Sequence, residues 1–269
     1  MSFLIVSDID HTLLNNDGEL LAENVAALAE ARAQGAKVVL ATARSFSGAL
    51  SIHDALKLDT PLIVSNGTVV AKRDGTILHN VAINNQTVVD VFKLYDQTNK
   101  YWILRTPKYP FFHPELVANG GPFGIEEYAK TMANDKMLEH IQNNGHTPIV
   151  AASLFGSDIE AFYNANDWQE MGLVADFYPP SHYYDKDGMS VMSDKASKGN
   201  AASWLQNYLG LNDLPVLALG DNVADATMFS LGIGIAPENA KEEVKEQADW
   251  IAPHCDNAAV AAAVRKFVL

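Results

Sequence analysis

With Cys255 the only cysteine in 269 residues, no internal disulfide can form, and a reducing cytoplasm is the expected setting. No apolar run approaches the ~20 residues of a membrane-spanning helix. The opening MSFLIVSD has no basic residue ahead of its apolar stretch and breaks at Asp8, well short of a secretory signal. Positive charge is scarce: 19 Lys and Arg stand against 33 Asp and Glu, a formal net charge of -14. That balance argues against nucleic acid or an anionic membrane as partner, since both reward a basic surface. A phosphorylated ligand would need its positive charge concentrated locally. Repeats and low-complexity tracts are also missing. At 48% apolar residues, the chain can bury the core of one large domain or two smaller ones.

What is present is an alternation of apolar runs with helical periodicity. Phe3 to Ser7 reads as a buried strand, Leu20 to Gln34 as an amphipathic helix closed by Gly35, and Lys37 to Ala41 as the next strand. A helix is expected from about Ser45, and Pro61 to Val64 gives a third strand. Such alternation implies an α/β fold, a Rossmann-like three-layer core with a mostly parallel sheet. From Val69 the pattern changes to a hairpin turning at Asp74-Gly75. A block from Ile83 onward then carries expected helices near Thr87 to Thr98 and Glu126 to Asn143, with extended runs near Tyr101 to Leu104 and Ile149 to Leu154. Alternation resumes at Lys198. The expected organisation is therefore a core formed by residues 1–82 and 188–269, interrupted by an inserted α/β cap domain at 83–187.

In FLIVSDIDHTLL an apolar strand delivers Asp8, Asp10 and Thr12 at alternate positions just past its end. In open parallel sheets ligands sit beyond the carboxyl ends of the strands, where Thr42 and Asn66 also fall. Phosphate monoesters resist hydrolysis so strongly that catalysts supply accelerations of up to about 10²¹-fold, mostly by positioning and charge neutralisation. A fixed carboxylate can attack phosphorus in line and split the reaction into two displacements, a role that suits Asp8. A second carboxyl two residues on, Asp10, can protonate the leaving alcohol and later take a proton from water. Carboxylates alone would repel phosphate unless a hard divalent cation sat among them. Asp8, Asp221 and either Asn222 or Asp225 offer Mg²⁺ its preferred oxygen ligands, and the backbone carbonyl of Asp10 can add another. The plainer alternative is that Asp8 and Asp10 merely end a strand and cap the next helix. Asp221 at the end of a second apolar strand, and Lys198 ahead of it, count against that.

These spaced segments resemble the haloacid dehalogenase superfamily, and within it the Cof-type phosphatases with a large α/β cap inserted after the third core strand. The motif D-x-D-x-T stands as Asp8 to Thr12, a strand-end Thr as Thr42 in VVLATARS, K-G as Lys198-Gly199, and G-D-x-x-x-D as Gly220-Asp221 to Asp225; S-N-G stands at Ser65, Asn66 and Gly67. The resemblance implies an Mg²⁺-dependent phosphatase for a small phosphorylated metabolite, with Asp8 as nucleophile and Asp10 as acid/base. Thr12, Thr42, Ala43, Arg44, Asn66 and Lys198 would lie at the phosphoryl group, and Asp8, Asp10, Asp221, Asn222 and Asp225 at the metal. Ala224 stands where relatives usually have Asn, Ala43 where they have Gly, and the tail glycine is replaced near Asn257, Ala258 and Ala259. Asn222 is the residue that could compensate for Ala224.

Several of these residues have ordinary structural roles open to them. Thr42 could simply cap a helix, Asn66 could serve an Asn-Gly turn, and Arg44 could form an ion pair. The eight histidines show no metal-ligand spacing, and Tyr101, Trp102, Tyr109, Phe111 and Phe112 read as cap core, with Tyr183 and Tyr184 treated likewise. Two further functions share the same residues: a hexose phosphomutase on this core, and a non-catalytic module that accepts a phosphoryl group or binds Mg²⁺.

Overall fold

The computed structural model describes residues 2–95, 101–108, 110–113, 130–131, 141, 148–179 and 186–269. The chain divides into two compact units, one of Met1–His79 with Ala196–Leu269 and one of Asn80–Lys195.

The first unit is built on a five-stranded sheet in the order Trp250–Ala252, Ile233–Pro237, Val216–Leu219, Leu4–Ser7, Lys37–Leu40, with every pair parallel. Leu4–Ser7 and Val216–Leu219 are buried at every position, as strands covered on both faces must be, which is why they read as continuous apolar runs. The expected helix after the first strand spans Ala22–Ala33, and the next spans Phe46–Ala55, where the Ser45 hydroxyl accepts the Gly48 N–H. Leu62–Val64 continues the sheet through a parallel bridge from Ala41 to Ile63, then turns back antiparallel into Val69–Ala71 and Ile77–Asn80. The hairpin turn sits at Asp74-Gly75, with Gly75 at φ 81° and its N–H on the Lys72 carbonyl. The interior is largely aliphatic: Val6, Val39, Ile63, Ala201 and Val216 lie in one cluster. Buried Asn24 ties the outer layer down, giving its Nδ2 to the Leu13 carbonyl and accepting the Ala261 N–H of helix Ala259–Phe267.

The second unit carries a six-stranded sheet in the order Leu173–Tyr178, Gly188–Ser193, Ala151–Phe155, Tyr101–Arg105, Pro110–Phe112, Lys130–Thr131. It is antiparallel except for the last pair. Helix Asn85–Leu94 and the segment Ile159–Asn164 contribute to its core, where Phe92, Trp102, Phe111 and Trp168 pack together. Both boundaries differ from expectation, the first only slightly, since the second unit begins at Asn80 and not at 83. Residues 188–195 are expected in the core, but Gly188–Ser193 pairs on both sides with strands of the inserted sheet, and the core resumes at Ala196. The physical reason is its alternation: Met189 and Val191 are buried while Ser190 and Met192 are partly exposed, the signature of a half-covered antiparallel strand. Lys130–Thr131, expected in a helix, instead pairs with Phe111 and Phe112, whose edge offers it backbone partners. Most of the helix expected over Glu126 to Asn143 lies outside the described residues, as do Tyr109, Tyr183 and Tyr184.

Candidate active site

Asp8 comes directly after the inner strand Leu4–Ser7, and its N–H is held by the Leu219 carbonyl of the neighbouring strand, so the ends of the two strands are locked together. Asp221 and Asp225 come from the loop and short helix beyond Val216–Leu219. Lys198 opens helix Lys198–Tyr208, whose N-cap Ser197 accepts the Asn200 N–H. That helix approaches so closely that a Cβ at Gly199 would lie 2.1 Å from the Thr227 carbonyl oxygen, which explains the glycine of the K-G pair. Gly67, at φ +85°, faces the same helix start: its Cβ would fall 2.1 Å from the Ser197 carbonyl oxygen.

The result is a buried charged cluster. Lys198 Nζ lies 2.6 Å from Asp8 Oδ1 and 2.5 Å from Asp225 Oδ1, with Lys198 3%, Asp8 4% and Asp225 1% exposed. The other oxygen of Asp225 accepts the backbone N–H groups of Asp221 (3.1 Å) and Asn222 (2.9 Å), fixing the loop. Thr12 Oγ1 donates to Asp221 Oδ1 at 3.0 Å, so the buried hydroxyl of the first motif orients an acidic side chain. Burial, together with the negative charges of Asp225 and Asp221, pushes the Asp8 carboxyl up to about 8, against the pull of Lys198. Burial opposes the charge on Lys198, yet Asp8 and Asp225 outweigh it and hold the ammonium above its ordinary value. Asp221 is raised by burial and by Asp225.

One ammonium among three carboxylates leaves an excess of negative charge. Oxygens of Asp8, Asp221 and Asp225 all lie within 4.8 Å of one another, a hard donor set that fits a small divalent cation. His254, Cys255 and Asp256 are equally close, but they are consecutive residues of one turn in which His254 Nδ1 accepts the Asp256 N–H.

The remaining candidates fall into two groups. Thr42 is buried at its strand end; its hydroxyl accepts the Arg44 N–H (3.0 Å) and its carbonyl the Asn66 N–H (3.0 Å). Ser65 and Asn66 both take left-handed backbone, φ 50° and 55°, in the turn ending at Gly67. Ala43 is exposed and is not among the positive-φ residues, so its position makes no backbone demand for glycine. Arg44 clasps Asp10: Nε to Oδ2 at 2.8 Å and Nη2 to Oδ1 at 2.6 Å. The Asp10 side chain is thus not one of the converging carboxylates. Asn222 is exposed and its Oδ1 accepts the Val223 N–H at 2.8 Å as a helix cap.

Asn239 escaped the sequence reading. It donates to the His11 carbonyl and accepts the Cys255 N–H, while Asp256 takes two hydrogen bonds from Asn16, so the tail laces the loop beyond Asp10. Its only signal was its place in IAPENA.

A central parallel sheet with an aspartate at its strand end, a lysine from a later helix and a G-D-x-x-x-D loop define a haloacid dehalogenase-like hydrolase. The family model of that name matches residues 5–264, and the chain belongs to this family. Among its relatives, the phosphatase YwpJ of Bacillus subtilis is 26% identical over 92% of this chain and 93% of its own length. The 5-amino-6-(5-phospho-D-ribitylamino)uracil phosphatase YcsE of the same organism is 25% identical over 99% and 96%. Among solved structures, TM0651 of Thermotoga maritima superposes with a TM-score of 0.78 at 19% identity, covering 100% of this chain and 98% of that one. The subclass IIB sugar phosphatase BT4131 gives a TM-score of 0.73 at 19% identity, over 98% of both chains. No helix among the described residues is long and apolar enough to cross a membrane.

Proposed function

We propose that the protein is an Mg²⁺-dependent phosphatase that hydrolyses a small phosphomonoester, a sugar phosphate or similar metabolite, through an aspartyl phosphate on Asp8. The observation that carries this reading is the contact of the Asp8 carboxylate with Lys198 at 2.6 Å inside a cluster of three carboxylates whose oxygens lie within 4.8 Å.

Asp8 attacks phosphorus in line while Lys198 holds its carboxylate in place and offsets charge gathering on the phosphoryl oxygens. The bond to the leaving oxygen breaks, and that oxygen takes a proton from Asp10. Asp10 then removes a proton from a water that attacks the aspartyl phosphate, which releases inorganic phosphate and restores Asp8. Asp8, Asp221 and Asp225 would hold the cation, with the Asp10 carbonyl contributing, and when bound it supplies neutralisation of the phosphate and of the nucleophile. Thr42, Ala43 and Asn66 fit contacts to the phosphoryl group from the neighbouring strand ends, while Thr12 acts through Asp221. The substrate class is supported by two relatives: YcsE is a phosphatase of a phosphoribitylamino-uracil, and BT4131 is a sugar phosphatase.

Asp8→Asn should reduce Mg²⁺-dependent phosphate release from 4-nitrophenyl phosphate by on the order of 10³-fold or more. Retained turnover would remove Asp8 from the mechanism. With a hexose phosphate, free phosphate is the expected product. A rearranged sugar phosphate would instead make the enzyme a mutase, and a stable aspartyl phosphate without turnover would make it a phosphoryl-accepting module.

A further inference from the structure

The Arg44 guanidinium faces Asp10 with two N–H groups, one on each carboxylate oxygen, at 2.8 and 2.6 Å. Paired forks of this kind fix the plane and rotamer of the carboxylate, which a single point charge cannot do. Arg44 is itself held from three sides. Its backbone N–H is on the Thr42 hydroxyl, its carbonyl accepts the Ser65 N–H at 2.8 Å, and its Nη1 reaches the Gly48 carbonyl at 3.2 Å in the first turn of helix Phe46–Ala55. The Asp10 side chain is 44% exposed, and among the described residues Arg44 is the donor that holds both of its oxygens, so its orientation depends on this clasp. His11, the next residue, sits at φ 55°, so the loop on that side is strained as well as exposed.

We infer that Arg44 is a positioning residue for Asp10 and not a phosphate ligand: it aims the carboxyl that exchanges protons with the leaving oxygen and the attacking water. The inference rests on the phosphatase reading and deepens it. Three of the five N–H donors of Arg44 are committed to Asp10 and Gly48, and they include the whole fork, so a bidentate grip on a phosphoryl group by that same fork would have to break the Asp10 clasp. Misaiming by about an ångström is costly in catalysis, and its cost falls on the step that needs the proton. Substrates with poor leaving groups need that proton in the first displacement; 4-nitrophenolate leaves without it.

The test is a leaving-group series measured as kcat/KM with Mg²⁺ on the full chain: 4-nitrophenyl phosphate, phenyl phosphate and an alkyl phosphate. Arg44→Ala should lose at least about tenfold more on the alkyl ester than on 4-nitrophenyl phosphate. In an Asp10→Ala background it should change either by no more than about twofold, since its only route to the chemistry is gone. Arg44→Lys, which keeps the charge but not the fork, should fall between wild type and Arg44→Ala and serves if the alanine variant does not fold. An equal loss across the series, carried in KM and additive with Asp10→Ala, would make Arg44 a phosphate ligand and overturn the inference. A wild-type enzyme that releases no phosphate from any ester sinks the phosphatase reading and the inference with it. Normal wild-type turnover with an unchanged series in both Arg44 variants sinks the inference alone.

Discussion

In the unit formed by residues 1–79 and 196–269, the buried polar side chains include Asp8, Lys198 and Asp225. In the unit spanning 80–195, those among the described residues are Ser153 and Ser193. The inserted unit packs aromatic rings, Phe92 against Trp102 and Phe162 against Trp168, where the core unit packs aliphatic side chains and alanines around its charges. Burying a charge is expensive, and a buried pair is weak evidence for stability in its own right. The core unit therefore bears a cost that the inserted unit avoids, and it bears that cost at the strand ends where the proposed chemistry would sit.

The largest expected effect comes from removing the ammonium. Lys198→Met leaves the buried Asp225 carboxylate without its counter-charge and takes from Asp8 the partner that favours its ionisation, and should cost about 3–5 kcal/mol in urea unfolding of the metal-free protein, with added Mg²⁺ restoring part of it. A loss below about 1 kcal/mol would mean that the core bears no such burden, and the contrast between the units would fail.

Next in size is a pH effect. The carboxyl of Asp8 is raised in the folded state to about 8, so between pH ~4 and ~8 the folded chain holds a proton that the unfolded chain has released. Its stabilising contribution is complete below the unfolded value and lost as pH rises through the folded one. Metal-free wild type should lose stability relative to Asp8→Asn across that window, and Mg²⁺, which favours the carboxylate, should flatten the slope. Urea midpoints measured in chelator and in Mg²⁺ would decide it.

Two smaller changes sharpen the picture. Asn222→Ala should cost about 1 kcal/mol through loss of the helix cap while leaving the Mg²⁺ concentration needed for activity within about threefold. A tenfold rise in that requirement would return Asn222 to the metal. Ala258 sits at φ 56°, ψ 54°, left-handed backbone that favours glycine. Ala258→Gly should therefore raise stability by about 0.5–1 kcal/mol in thermal or urea unfolding.

The core was legible because parallel strands buried on both faces leave continuous apolar runs, and because the polar residues that end them must lie beyond the sheet. That ground alone places Asp8, Thr42 and Asp221 beyond the ends of the strands. Lys198 needed its K-G context, and the structure supplies the reason in the tight approach of Gly199 to Thr227. What stayed hidden depended on pairing between distant side chains. Nothing in ATARS says whether Arg44 meets phosphate or Asp10, and the metal reading of Asn222 could not be weighed against its cap until the Val223 N–H was placed. The boundary at 188 was missed although its signal was present, since GMSVMS alternates where VLAL does not.

The strand order carries one more consequence. Leu4–Ser7 is an inner strand of its sheet, flanked by Lys37–Leu40 and Val216–Leu219. A ribosome delivers this inner strand first among the five and one of its two neighbours only some 200 residues later. Until then Asp8 has neither Lys198 nor Asp225 beside it, so the charged cluster cannot form before the chain has been made past position 225.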